Sequence, residues 1–348
     1  MTLDERYMHR CIELAQKGRG FVAPNPMVGS VLVCNGEIIA EGWHRQYGEA
    51  HAEVNCINEA IAKGYADKFA QSTLYVSLEP CAHFGKTPPC SNLIIEKKIP
   101  KVVIGCRDPF PEVNGKGIEK LHAAGVETIV DVLKKECVEL NKRFFTFHQQ
   151  HRPYILLKWA QTADQKIAGI STDRLLISNE FSNRLVHQWR SEEAAILVGT
   201  NTALLDNPQL TIRYWQGKQP VRLVLDKTLR LPESLKLFNN DASTIIFNLL
   251  KTEDAGRVKY HQLKNEKNLL QEMMHALYEL KIQSVLVEGG ATLLQHFIDA
   301  DLWDEARVIQ NEHLQIGEGL SAPVLKNQLL LEKEQLQSDA IYYYVNQN

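Results

Sequence analysis

Two short stretches hold the side chains best equipped for chemistry. They are His51-Ala52-Glu53 and Pro80-Cys81, with Cys90 nine residues further on. Together they offer one imidazole, two thiolates and one carboxylate. Zinc takes N and S ligands in tetrahedral geometry, and a catalytic site keeps its fourth position for water. His51, Cys81 and Cys90 supply three ligands and leave that position open. Glu53 stands two residues from His51 and is badly placed to chelate beside it; its expected task is to take a proton from the water and pass it on. Zinc would lower the pKa of that water to about 7. A structural zinc site, the alternative, is normally closed by four protein ligands, and would need His44 or His83 as the fourth.

These groups need elements to aim them. Apolar residues at helical spacing predict a helix from Leu3 to Lys17, followed by the stiff loop Ala23-Pro24-Asn25-Pro26-Met27-Val28-Gly29. That loop can aim the Asn25 amide, a donor–acceptor pair suited to reading a heterocycle edge. Strands are expected at 31–34 and 37–40 around an Asn35-Gly36 turn. A helix opens at His51 and runs to about Ala62, a strand covers 72–78, and a helix runs from Cys90 to Lys98. Both ligand groups therefore fall at or near helix starts, where unpaired N–H groups and the helix dipole favour thiolate. A strand at 101–106, a helix at 115–124, a strand at 126–130 and a single helix from Asp131 to Phe147 complete an α/β layered domain.

The 348 residues suggest two domains. A hydrophobic share of 44% and a charged share of 23% allow full cores. The net charge of −3 argues against a general nucleic-acid or membrane-surface binder. No apolar run reaches the roughly 18–20 residues needed to span a bilayer. The N-terminus carries acidic residues and no apolar signal region, so a cytoplasmic protein is expected. Seven cysteines, an odd number, argue against a disulfide framework; Cys34, Cys56 and Cys106 are expected to be small core residues.

The boundary is placed at Gln149-Gln150-His151-Arg152-Pro153, giving domains 1–147 and 152–348. The second domain alternates strands (154–159, 194–198, 221–226, 244–248, 284–288, 306–309, 341–345) with helices (179–189, 269–280, 291–300). A strand ending in Gly289-Gly290 before a helix is a phosphate-cradle candidate. Residues 201–213 read as a loop of hydrogen-bonding groups ending in Arg213, a side chain suited to bidentate phosphate recognition.

His-x-Glu with Pro-Cys and a later Cys is the order of zinc deaminases, in which the Glu is not a ligand. The usual Pro-Cys-x-x-Cys spacing is here Cys81-x8-Cys90. The run Glu79-Pro80-Cys81-Ala82-His83-Phe84-Gly85-Lys86-Thr87-Pro88-Pro89-Cys90, with Asn25-Pro26-Met27-Val28-Gly29 and His51-Ala52-Glu53, closely resembles the deaminase half of the bifunctional deaminase/reductase family of riboflavin biosynthesis. The second half resembles that family's reductase. The resemblance implies a cytidine-deaminase-like three-layer domain followed by a dihydrofolate-reductase-like domain. It implies a zinc ion, NADPH, a phosphorylated pyrimidine substrate and a homo-oligomer. It places NADP contacts at Ala160, Thr202, Asp206, Gly289, Gly290, Ala291 and Thr292, and substrate contacts at Arg190, Leu210, Arg213 and Glu288. His83 becomes a substrate-loop residue, and Lys158 and Asp164 match a family strand and loop. Two departures stand out. Thr162-Ala163-Asp164-Gln165-Lys166 has Gln where the family has Gly, and Arg174-Leu175-Leu176-Ile177 replaces a Ser-x-Trp-Ile. The rival reading is a nucleoside or tRNA deaminase with an unrelated second domain.

Overall fold

The computed structural model describes residues 1–82, 84, 88–170 and 175–348. The chain divides into two compact units, Met1–Gln150 and His151–Asn348.

The first unit runs α1 (Leu3–Gln16), β1 (Gly29–Cys34), β2 (Glu37–Trp43), α2 (Ala52–Ala62), β3 (Ser72–Leu78), α3 (Cys90–Glu96), β4 (Lys101–Cys106), α4 (Lys116–Ala123), β5 (Glu127–Ile129), α5 (Lys134–Leu140) and α6 (Lys142–Gln150). Its sheet has the order β2-β1-β3-β4-β5. The β1–β2 and β1–β3 pairs are antiparallel and the rest parallel. Alternate side chains of each strand go to opposite faces. Val31, Val33, Tyr75 and Val103 pack with Met8, Cys11 and Leu14 of α1 and Cys137 of α5. Leu32, Leu74, Val76, Val102 and Ile104 pack with Cys56 and Ile57 of α2, Ile94 of α3 and Leu121 of α4. Helices on both faces of one sheet make three layers. Cys34, Cys56 and Cys106 are all buried.

The helix expected from Asp131 to Phe147 is instead two. Asp131 and Leu133 take left-handed backbone conformations, φ +70° and +53°, which delay its start. Asn141 then breaks it: its side chain accepts from Met27 N (2.8 Å) and donates to Met27 O (2.8 Å), tying the gap between α5 and α6 to the proline loop. α6 continues through Gln150, so the first unit ends three residues beyond the expected 147.

The second unit runs β6 (Tyr154–Gln161), β7 (Lys166–Gly169), α7 (Glu180–Glu192), β8 (Ala195–Gly199), α8 (Thr200–Asp206), β9 (Val221–Leu225), β10 (Thr244–Asn248), β11 (Glu253–Ala255), β12 (Val258–Gln262), α9 (Leu269–Glu279), β13 (Ser284–Val287), α10 (Ala291–Asp299), β14 (Glu305–Asn311), β15 (Gly319–Ser321), β16 (Gln328–Leu336) and β17 (Asp339–Asn346). Ten strands form one sheet, β11-β12-β10-β9-β8-β13-β6-β14-β17-β16, and β7 pairs with β15. From β12 to β14 the strands are all parallel, so their carboxyl ends share one edge. Ile155, Leu157, Leu197, Val285 and Val287 meet α9 and α10 on one face. Leu156, Ile196, Val198 and Leu286 fill the other, with Ala203 of α8.

Residues 201–206, expected as part of a loop, belong to helix α8. Thr200 anchors it by donating its hydroxyl to Leu225 O (2.7 Å). Strand β16 was not foreseen either: its residues are exposed along nearly its whole length, so no alternation marks it. Among the described residues, no helix is long and apolar enough to cross a membrane.

Candidate active sites

His51 is the N-cap of α2, and Glu53 lies in that helix's first turn. Cys81 follows β3, and Cys90 is the first residue of α3. Two helix starts and the loop after β3 thus present the three ligand candidates. The imidazole Nδ1 lies 3.7 Å from Cys81 Sγ and 3.4 Å from Cys90 Sγ, and all three donor atoms fall within 4.8 Å of one another. Tetrahedral zinc with ordinary bond lengths needs S···N of about 3.6 Å and S···S of about 3.8 Å. The two S···N separations match that geometry, so the donor set fits the ion. The Cys90 N–H donates to Cys81 Sγ at 3.2 Å. A hydrogen bond from the Cys90 thiol, with help from His51 and that N–H, brings the Cys81 thiol down to about 4. Cys81 is thus readily a thiolate, the form that binds metal. Glu53 is 3% exposed, and burial pushes its carboxyl up to about 7.

Asn25 comes to this site. Its Nδ2 lies 3.2 Å from Nε2 of buried His44, whose Nδ1 is 3.0 Å from Ala50 O. The His44 and His51 rings meet edge to face at 5.5 Å. His44 is therefore engaged away from the three donors and is no fourth ligand. His83, the other candidate for that place and the expected substrate-loop residue, lies outside the described residues, as do Gly85, Lys86 and Thr87.

Sequence reasoning missed Glu79. Its carboxylate is 4% exposed and accepts four backbone N–H groups: Asp108 (3.3 Å) and Gly115 (3.0 Å) on Oε2, Gly117 (3.0 Å) and Ile118 (3.3 Å) on Oε1. Glu79 thereby fastens the segment before α4 beneath Pro80-Cys81. A Cβ on Gly117 would sit 2.0 Å from Pro80 O, so only glycine allows this approach. The pairing of Glu before Pro-Cys with a distant Gly-Lys-Gly was the available signal.

In the second unit the expected residues gather at the carboxyl edge of β8, β13 and β6, where ligands bind in open parallel sheets. A Cβ on Gly289 would press on Val198 (2.8 Å) and Thr202 (3.1 Å), and one on Gly290 on Thr202 Oγ1 (3.1 Å). The Gly289-Gly290 turn thus lies directly against α8. Gly290 (φ +79°) caps α10 with no side-chain partner for the helix N–H groups; Ala291 and Thr292 open that helix. A bare, glycine-flanked helix start suits a phosphate of a nicotinamide cofactor. Asp206 ends α8, and Ala160 lies on β6 opposite Ile309.

Arg190 of α7 makes a two-pronged pair with Glu288, Nε–Oε1 2.6 Å and Nη2–Oε2 2.7 Å. Burial alone would raise the Glu288 carboxyl, but the Arg190 charge and hydrogen bonds outweigh it and, with Lys158, hold it at about 2. Leu210 is buried at φ +50°. Arg213 is exposed and donates to Gln209 Oε1 (2.9 Å). Asp164 is used structurally, accepting from Ile316 N (3.2 Å) and Gly317 N (2.7 Å). Of the Ser-x-Trp-Ile departure, Arg174 lies outside the described residues, Leu176 is exposed and Ile177 is buried.

A three-ligand metal cage with a buried carboxylate, ahead of a parallel-sheet domain with a glycine-lined helix start, defines a zinc-type deaminase joined to a cofactor-dependent reductase. Comparison with known proteins makes this specific. Residues 1–106 match the cytidine and deoxycytidylate deaminase zinc-binding region, and residues 153–336 match the RibD C-terminal domain. The chain is 41% identical over 328 residues to the riboflavin biosynthesis protein RibD of Aquifex aeolicus, covering 92% of this chain and 89% of that protein. It is 43% identical over 300 residues to RibD of Actinobacillus pleuropneumoniae, covering 83% and 78%. A crystal structure from Thermotoga maritima, described as a diaminohydroxyphosphoribosylaminopyrimidine deaminase/5-amino-6-(5-phosphoribosylamino)uracil reductase, superposes with a TM-score of 0.89 at 37% identity, covering 99% of each chain. The chain belongs to the RibD family, the bifunctional deaminase/reductases of riboflavin biosynthesis. Its first unit is the cytidine-deaminase-like domain and its second the dihydrofolate-reductase-like domain.

Proposed function

We propose that this chain deaminates 2,5-diamino-6-ribosylamino-4(3H)-pyrimidinone 5′-phosphate and then reduces the ribosyl group to ribityl, with residues 1–147 as the deaminase and 152–348 as the reductase. The observation that carries this reading is the triangle of His51, Cys81 and Cys90 with Glu53 buried on the same helix turn as His51. His51, Cys81 and Cys90 would hold one zinc ion, which makes water a nucleophile near neutral pH. Glu53 takes the proton of the attacking water and returns it to the ring nitrogen and the departing amine. A buried carboxyl drawn up to about 7 can do both. Water adds at the ring carbon bearing the 2-amino group, ammonia leaves and a uracil-type ring results. Asn25, held against His44, is placed to read the edge of that ring.

In the second unit, bound NADPH supplies hydride to C1′ of the ribosyl group. Thr202, Asp206, Gly289, Gly290, Ala291 and Thr292 would receive the cofactor at the α8 and α10 ends, with Ala160 on β6. Glu288 and Leu210 would face substrate. Arg190 reaches the site already paired with Glu288, so Arg213 is the stronger candidate for the substrate phosphate. The seven free cysteines fit a cytoplasmic enzyme. β16, at the outer edge of the ten-stranded sheet with Leu329, Leu330 and Leu331 exposed, is a surface on which two copies can associate.

The test is Glu53→Gln. Metal content should be unchanged and ammonia release from the diaminopyrimidinone lost, while NADPH oxidation with the deaminated substrate persists. Loss of both activities in a folded protein would reject two independent sites.

A further inference from the structure

His187, on the α7 face one turn before Arg190, has no role in the reaction as described above. It is fully buried. Its Nδ1 accepts the backbone N–H of Arg213 at 3.0 Å, so the ring proton sits on Nε2, which has no hydrogen-bond partner among the described residues. Tyr214 packs edge-on against the ring at 4.8 Å. Burial, and then the Arg190 and Arg213 charges, hold the imidazole at about 4, which keeps it neutral and able to accept.

The segment that His187 touches has an unusual construction. Residues 210–213 belong to no helix or strand, yet they are tied down group by group. Gln219 accepts from Ile212 N (2.8 Å) and donates to Ile212 O (3.1 Å). Arg190 Nη1 donates to Thr211 O (3.3 Å). His187 takes the next free group, Arg213 N. Side chains do here what a neighbouring strand does elsewhere, and α7 supplies two of the three. Backbone groups so placed must find partners, and an imidazole locked between helix and segment fixes where Arg213 begins.

We propose that His187 is a positioning residue of the reductase site: by accepting the Arg213 N–H through Nδ1 it sets the place from which Arg213 meets the substrate phosphate. This rests on the reading of Arg213 given above. The effect should lie in substrate binding, because no hydrogen bond among the described residues joins His187 to the glycine turn of β13 and α10.

The experiment compares four variants of the full-length protein in the reductase assay with deaminated substrate. Arg213→Ala tests the underlying reading; an unchanged KM there withdraws the phosphate role of Arg213 itself. Given a raised KM in that variant, His187→Phe, which keeps the bulk and removes the acceptor, should raise the substrate KM roughly tenfold, the worth of one positioned hydrogen bond. The KM for NADPH, kcat and ammonia release from the first unit should stay within about twofold, a change worth less than one such bond. His187→Asn places an amide oxygen close to where Nδ1 stood and should recover most of the affinity, whereas His187→Gln, which extends past that position, should not. An unchanged substrate KM in His187→Phe overturns the proposal. If the Phe variant does not fold, the Asn and Gln variants decide: equal substrate KM values for the two overturn it.

Discussion

The two sites are built in opposite ways. The proposed deaminase site draws His51, Glu53, Cys81 and Cys90 from forty residues of chain and presents them from two helix starts and the loop after β3. Next to Pro80-Cys81 one carboxylate, Glu79, gathers four backbone N–H groups. The proposed reductase site draws on residues from Lys158 to Thr292, spread over β6, α7, α8, β13 and α10. Its charges arrive already paired, as in Arg190–Glu288. The first site is poised for a metal and for proton transfer. The second is a set of positioned hydrogen bonds around a place where the cofactor carries the chemistry. Damage should therefore act through chemistry in the first site and through binding and stability in the second.

The largest expected effect is metal removal. Chelation, or Cys90→Ala, should reduce ammonia release at least about a thousandfold, because both the nucleophile and its activation depend on the ion. Reductase activity, followed by NADPH oxidation in the same sample, should be unchanged; a parallel fall would break the contrast between the sites. Next is Arg190→Ala. It strands the Glu288 carboxylate in a nearly dry setting, and breaking a buried pair from one side costs about 3–5 kcal/mol. Denaturant unfolding should show that loss in the second unit, and reductase activity should fall with it. A loss below about 1 kcal/mol would mean that Glu288 is as well solvated as a surface group.

This contrast also decided what could be read from the sequence. The three donors that the fold brings together, and Glu53 beside them, were legible as candidates because zinc deaminase chemistry demands few residue types at short spacing. Most strands of both sheets were legible from apolar runs; β7, β11, β12 and β15, in which no residue is fully buried, were not. Three further features also escaped. The break at Asn141 depends on Met27, more than a hundred residues away. Strand β16 lies exposed at the sheet edge and leaves no alternation to detect. Helix α8 is short, and what anchors it is a threonine hydroxyl reaching β9. His187 was invisible for a related reason: a histidine between Val186 and Gln188 on a helix looks like any half-buried polar group until the fold brings Arg213 N to it.

The two units should also respond oppositely to pH. Asp108 is buried in the first unit and pushed up to about 7. A carboxyl raised in the folded state binds its proton more tightly there than in the unfolded chain, so this contribution is full below the unfolded value near 4 and is lost as pH rises through about 7. His187 in the second unit has the reverse sign. Its folded value of about 4 lies below the ordinary 6.5, so the unfolded chain binds the proton first and stability falls as pH drops from 6.5 towards 4. Between pH 7.5 and 5, calorimetry should show the first unit gaining, with buried Glu53 adding in the same direction as Asp108, and the second losing, each on the order of 2 kcal/mol or more. Transitions that move together would show that the two units do not titrate independently.

The smallest effect tests a family departure. Gln165 stands where the family has glycine, and its φ is +58°. Its N–H donates to Thr162 O (3.0 Å) and its carbonyl accepts from Ala322 N (2.9 Å), which hold the turn between β6 and β7 in place. A left-handed conformation costs a residue with a side chain about 1 kcal/mol, whereas glycine adopts it freely. Glycine in turn gives the unfolded chain more freedom, and that offsets part of the gain. Gln165→Gly should therefore stabilise the second unit by less than about 1 kcal/mol. Reductase kinetics should not change, because Gln165 shapes the turn through its backbone. A variant that gains stability but loses reductase affinity would show instead that the Gln165 side chain takes part in binding, and would place a contact on the β6–β7 turn.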